Sequence, residues 1–182
     1  TETIAPTETP AFTIPRFTVK NRFTIYGDEP AVSRGGKQFT DPGAAVFHDG
    51  KFHMFHNAFT GWPASVDIVY STSEDGIVWT RVQEEPILTS SEVPFTDVAA
   101  LAASALVLED GTWALYFYTW DEWTWPKSTG TIGMATAPDP LGPWTVVARP
   151  ILRSGGLSDW DGDAVRTPSV VQTEDGFVMY YT

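Results

Sequence analysis

From Ala44 onward the chain alternates short apolar runs with polar turns, at a spacing of roughly ten residues. "AAVFHDGKFHMFHNAF" (Ala44 to Phe59) is an apolar run, an Asp-Gly pair and an aromatic-rich run. The same order returns in "SALVLEDGTWALYFYTW" (Ser104 to Trp120) and in "PSVVQTEDGFVMYYT" (Pro168 to Thr182). Asp-Gly joins adjacent antiparallel strands, because both residues tolerate the positive φ of a tight hairpin. Each segment therefore predicts a hairpin. β-branched and aromatic residues dominate the runs, and no segment carries a clear helical period.

A second pair of segments follows the first two hairpins. "IVYSTSEDGIVWTRVQEEPIL" (Ile68 to Leu88) and "IGMATAPDPLGPWTVVARPIL" (Ile132 to Leu152) start on Ile and end on Pro-Ile-Leu, 64 residues apart. Trp79 and Trp144 fall one residue out of step across the turn and are expected to be core residues. One repeat thus reads as four antiparallel strands over about 60 residues, the period of a β-propeller blade. The expected organisation is a Thr/Pro-rich tether over residues 1–20 and a partial all-β propeller over 21–182. Blade one spans about 41–88, blade two about 97–152, and half of blade three about 161–182. "GFVMYYT" stops on a second strand, so a longer chain or another chain is expected to close the ring.

Composition narrows the partners. With 23 acidic against 11 basic residues, the net charge is −12, which disfavours nucleic acid and anionic membrane surfaces. There is no cysteine, so disulfides, thiolate catalysis and Cys-ligated metals are excluded. No apolar stretch is long enough for a membrane helix. The chain starts on Thr, and "TETIAPTETPAFTIP" reads as an extended tether, as often follows a removed export signal. The expected location is extracellular or cell-surface, and the expected ligand is carbohydrate.

Carboxylates are the chemistry on offer. Asp41 in "FTDPG" and Asp97 in "FTDVA" share a local pattern, and "DWDGDAVRTPS" adds Asp159, Asp161 and Asp163. Glycoside hydrolysis needs one carboxyl to protonate the leaving oxygen and a second to activate water or attack the anomeric carbon. Each Asp has a simpler alternative, since Asp-Pro and Asp-Gly are ordinary turn pairs. The "DGD" triplet also admits a structural calcium ion; otherwise no cofactor is expected. Arg166 suits either a substrate clamp or a pair with a neighbouring Asp. Trp62, Trp123 and Trp125 lie on loops at equivalent places of blades one and two, fit to stack on sugar rings or to cover the core. His53 and His56, three apart on a strand, point to opposite faces and are not expected to share a metal.

Taken together, "FTDPG", "STSEDGIVWT", "DPLGPWT" and "WDGDAVRTPSVVQTEDGFVMYYT" resemble the five-bladed propeller glycosidases. That group is the arabinanase/levansucrase/invertase superfamily, which includes glycoside hydrolase families 43 and 32. The resemblance runs from about Arg34 to Thr182. It implies a five-bladed fold whose acidic residues meet at one mouth of the channel, from the inner strands of successive blades. It further implies Asp41 as general base and Asp97 as the carboxylate that orients or tunes it. In those families the inner strand of the third blade supplies a Glu as general acid. Here "AVRTPSVVQ" carries Arg166 instead. Either a blade-three Asp (Asp163 or Asp161) takes a role in the site, or the acid lies beyond Thr182, or there is none. The last case would be a non-catalytic carbohydrate-binding or cell-surface propeller.

Overall fold

The structure, a computed structural model, describes residues 27, 30–32, 39–60, 65–96, 98–120, 130–156 and 158–182. The chain divides into two units, Thr1–Pro30 and Ala31–Thr182, and the strands among the described residues belong to the second. Asp97, Trp62, Trp123 and Trp125 lie outside the described residues.

Blade one is built from β1 (Phe39–His48), β2 (Lys51–Phe59) and β3 (Val66–Ser73), with β4 (Thr80–Arg81) and β5 (Leu88–Thr89) both pairing with β3. Blade two repeats the scheme with β6 (Ala99–Val107), β7 (Trp113–Trp120), β8 (Thr131–Ala137), β9 (Thr145–Val146) and β10 (Leu152–Arg153). β11 (Ser169–Thr173) and β12 (Gly176–Tyr180) form an antiparallel hairpin that begins blade three. The fold is therefore all-β: two four-stranded propeller blades and half of a third. Among the described residues the one helical element is the 3-10 turn Ser90–Glu92.

The outermost strand of each full blade is split into two short pieces. Pro86 and Pro150 stand between the pieces and have no N–H for the ladder, so pairing breaks off and resumes beyond them. It resumes in the same way in both blades. Ile87 N donates to Ile68 O and Ile151 N to Ile132 O, each at 2.8 Å. The 64-residue offset of the sequence is thus an offset of hydrogen bonds.

The Asp-Gly pairs make different turns. Asp49 and Gly50 (φ 48° and 78°) are the two loop residues of a tight hairpin, whereas in blade two Leu108 and Thr112 bracket a longer loop with Gly111 at φ 84°.

Blades pack by a taper of side-chain size. β6 is mostly alanine, and Ala100, Ala102 and Ala105 join Ala44 beside the large Phe55, Tyr70, Trp113, Leu115 and Phe117. Small residues on the inner strand let neighbouring blades approach near the axis, and large ones fill the wider gap outside. Fully burying Phe55 or Phe117 contributes about 1.5–3 kcal/mol each. A second contact surface joins blade two to blade three through Ala114, Tyr116 and Val170, and Val170 N donates to Ser104 Oγ at 3.1 Å.

Of the repeated tryptophans, Trp144 packs against the core cluster as expected, whereas Trp79 does not belong to it. Both are half-buried, and each indole N–H is used by its own turn: Trp79 Nε1 to Gly76 O at 3.1 Å, Trp144 Nε1 to Pro140 O at 3.3 Å. Trp144 packs edge-on against Phe55 at 5.6 Å; Trp79 reaches Phe52 instead.

Candidate functional site

β1 is interrupted at Pro42-Gly43. Asp41 pairs with Asn57 and Ala44 with Phe55, so the two residues between them form a bulge. Pro42 cannot donate to the ladder, which starts the bulge. Gly43 completes it by a close approach: a Cβ there would collide with Phe55 O and stand 2.8 Å from Ala102 O. The bulge thus brings the start of β1 against β6 of the next blade.

Asn57 secures that junction. It is 2% exposed, its Oδ1 accepts from Ala102 N at 2.8 Å, and its Nδ2 donates to Ala102 O at 3.2 Å. Asp41 faces the same side as its ladder partner Asn57. Its Oδ1 is buried without a hydrogen-bond partner. Burial raises the Asp41 carboxyl above its ordinary value, and the Asn57 side chain offsets part of that rise.

Tyr118 links the blades electrostatically. Burial raises its phenol most, the Asp41 carboxylate raises it further, and the Arg166 guanidinium lowers it. Asp41 at the start of β1, Tyr118 near the end of β7 and Arg166 before β11 therefore share one end of the sheets. Arg166 is fixed there by its backbone, with Arg166 N donating to Thr182 O at 2.6 Å and Thr182 N to Arg166 O at 3.0 Å. Its side-chain stem runs past Gly130, where a Cβ would lie 3.8 Å from Arg166 Cγ.

Ladder position gives the blade-two equivalent of Asp41. Asn57 follows Gly50 by seven residues, and Tyr118 follows Gly111 by seven (57 − 50 = 118 − 111). Their partners are Asp41 and Leu101, and Leu101 is buried in the apolar cluster of Phe59, Val66 and Val98. Asp97 lies four residues upstream, outside the described residues. Of the blade-three candidates, Asp161 Oδ2 accepts from the Tyr181 hydroxyl at 3.1 Å, and Asp163 is exposed on the loop leading to Arg166. Asn57 and Tyr118 were not candidates from sequence. The signal for both was available: each occupies the same place after its hairpin glycine.

The histidines are structural partners. His53 Nε2 donates to His48 O at 3.2 Å, which leaves Nδ1 to accept from the Tyr70 hydroxyl at 2.6 Å. His56 belongs to the opposite face. Thr40 Oγ1 donates to Asn57 O at 2.7 Å, so it accepts from His56 Nδ1, and His56 Nε2 accepts from Ser71. A cavity of about 170 Å³ lined by Val32, Thr40, Asp41, Pro42, Met54 and His56 lies on that side. Among the described residues, no group of three or more His, Asp or Glu side chains is arranged to hold a metal ion.

Two antiparallel blades and the first hairpin of a third define a partial β-propeller. The chain belongs to the glycosyl hydrolases family 32 N-terminal domain family, whose sequence pattern matches residues 36–182. Among solved structures it is similar to a family 117 glycoside hydrolase of the marine bacterium Zobellia galactanivorans. That match has 22% identity and a TM-score of 0.64, covering 81% of this chain and 49% of the other. A family 43 enzyme from Xanthomonas citri, complexed with xylose, matches at 21% identity and a TM-score of 0.60, over 84% of this chain and 41% of its own. A family 43 β-xylosidase/α-arabinofuranosidase from a compost microbial metagenome was solved with xylotriose in a calcium-free form. It matches at 23% identity and a TM-score of 0.59, over 83% and 44%. At this identity the likeness establishes the fold. The chain spans less than half the length of each of these structures. No curated protein matches it.

Proposed function

We propose that the chain is part of a glycoside hydrolase acting on poly- or oligosaccharide, with Asp41 as the carboxylate that activates water or attacks the anomeric carbon. The observation that carries this reading is Asp41 itself. A carboxylate on an inner strand with one oxygen buried and unpartnered is a costly arrangement for a fold to keep without a use. The phenol of Tyr118 and the guanidinium of Arg166 supply donors beside it for sugar hydroxyls. Asp97 takes the orienting role and Asp163 that of proton donor to the leaving oxygen. Carboxyl groups alone fill both chemical roles, so the reaction needs no cofactor. A polysaccharide substrate fits an extracellular or cell-surface location.

A second reading has its own support. Arg166 stands just before the blade-three strand β11, in the stretch where the resembling families carry the acid, and an Arg cannot donate a proton in hydrolysis. That favours a propeller that binds carbohydrate without cleaving it. The full-length protein, assayed on arabinan, xylan and fructan fragments, separates the two. Hydrolysis should fall by about 10²- to 10⁴-fold in Asp41→Asn. Turnover that survives this substitution removes Asp41 from the mechanism, and saccharide binding without any turnover selects the second reading.

A further inference from the structure

The loop before blade three holds an aromatic shelf that none of the groups above uses. Asp159 organises the loop: its Oδ2 accepts from Gly156 N at 2.6 Å, its N donates to Gly156 O at 2.8 Å, and its O accepts from Gly162 N at 3.1 Å. A Cβ on Gly155 would strike the Asp161 carboxylate and stand 2.7 Å from Asp159 Oδ2. Glycine there is what allows the loop to close around two carboxylates.

This tight loop turns Trp160 outward. Its side chain is 78% exposed, although indole is among the costliest surfaces to leave in water. It is not loose, because the ring stacks on Tyr181 with centroids 5.3 Å apart and planes at 30°. Tyr181 is held in turn by its hydroxyl, which donates to Asp161 Oδ2 at 3.1 Å. The result is a flat apolar face, braced from behind, with a carboxylate at its edge. Five residues further on, Arg166 reaches the end of the sheets that carries Asp41 and Tyr118.

We propose that Trp160, Tyr181 and Asp161 form a subsite for a neutral sugar ring. The ring's C–H face lies on the indole, and a ring hydroxyl donates to the Asp161 carboxylate. A few placed polar groups beside an apolar wall are what such recognition requires. A neutral ligand suits the chain's net charge of −12 better than an anionic one. The proposal rests on the reading that this propeller takes carbohydrate, and it adds a binding site apart from Asp41.

The test is a titration of the full-length protein with xylotriose, arabinotriose and 1-kestose, followed by the tryptophan indole N–H resonances. Trp160→Phe assigns the Trp160 signal. The expected result is a saturable shift of that signal with at least one sugar. Trp160→Ala should raise the Kd for that sugar about three- to tenfold, and Trp160→Phe by less. Saturable binding that leaves the Trp160 signal unmoved, or an unchanged Kd in Trp160→Ala, overturns the subsite. So does a changed sedimentation coefficient in Trp160→Ala with affinity intact, which makes Trp160 a packing residue. Binding at Trp160 without turnover overturns only the hydrolytic reading. Absence of binding by all three sugars overturns both.

Discussion

The side-chain amide of Asn57 in blade one pairs with both backbone groups of Ala102 in blade two, as a neighbouring strand would. Strand pairing between these blades is limited to one parallel bridge, Val66 with Ala99, and the buried amide adds two hydrogen bonds to it. Asn57→Ala leaves the N–H and C=O of Ala102 without partners, at about 1–3 kcal/mol for each group left unpaired. We expect a loss of about 2–4 kcal/mol in urea denaturation. Asn57→Asp should be as damaging at neutral pH and should improve on acidification, because the added carboxylate faces Ala102 O and neighbours Asp41.

Gly43 is held by contact. An added Cβ would meet Phe55 O, Ala102 O and Ala102 Cβ, the last at 2.9 Å. Backbone and inner-strand atoms cannot swing aside as a long side chain can. Gly43→Ala is expected to cost about 1–3 kcal/mol by overpacking and to lower activity by moving Asp41. Gly50→Ala controls for backbone conformation, since a Cβ there meets nothing but φ is 78°. It should destabilise the chain without displacing Asp41.

His56 gives the protein a pH-dependent stability. Burial, with a smaller repulsion from Arg81, lowers its pKa to about 4, against about 6.5 unfolded. The folded chain thus refuses a proton that the unfolded chain accepts. The stability tied to neutral His56 is complete above pH ~6.5 and is lost as pH falls towards about 4, by about 2–3 kcal/mol in all. Thermal melts across that range should show the loss, and in His56→Asn the difference from the parent should shrink as pH falls.

Asp41 has the opposite sign. Its folded pKa is raised, so folding favours the protonated carboxyl, and that contribution is present at low pH and lost as pH rises through the folded pKa. Asp41→Asn should therefore be the more stable protein at pH 7, by about 1 kcal/mol, with the advantage fading below pH ~4. Hydrolysis by the parent should rise with pH through the same group, because only the ionised carboxylate serves as base or nucleophile. An asparagine variant less stable than the parent at pH 7 means that the buried carboxylate is not strained.

Much of the fold was legible because its signals are local. Hairpins at Asp-Gly and strands rich in aromatic and β-branched residues are written within a few residues, and the 64-residue offset from Ile68 to Ile132 repeats those local patterns along the chain. The site was legible only in part. The shared "FTD" letters point to Asp97, which lies outside the described residues, while only the ladder shows that Leu101 stands opposite Tyr118 as Asp41 stands opposite Asn57. Local pattern marks where a strand begins. Register, which depends on bulges and turn lengths, decides which side chain reaches a given level.

Sequence by itself determined the repeat, the all-β class, the exclusion of cysteine chemistry and the choice of Asp41 as a carboxylate to watch. Those follow from residue identity and short-range spacing. Only the tertiary structure decided that Asn57 bonds Ala102, that Asp41 and Arg166 both act on the Tyr118 phenol, and that Trp160 is turned outward on Tyr181. Each of these joins residues 15 or more positions apart, with 21 between Trp160 and Tyr181 and 45 between Asn57 and Ala102. Such pairs form when the chain folds back on itself within or between blades, and packing is set by the fit of small and large side chains.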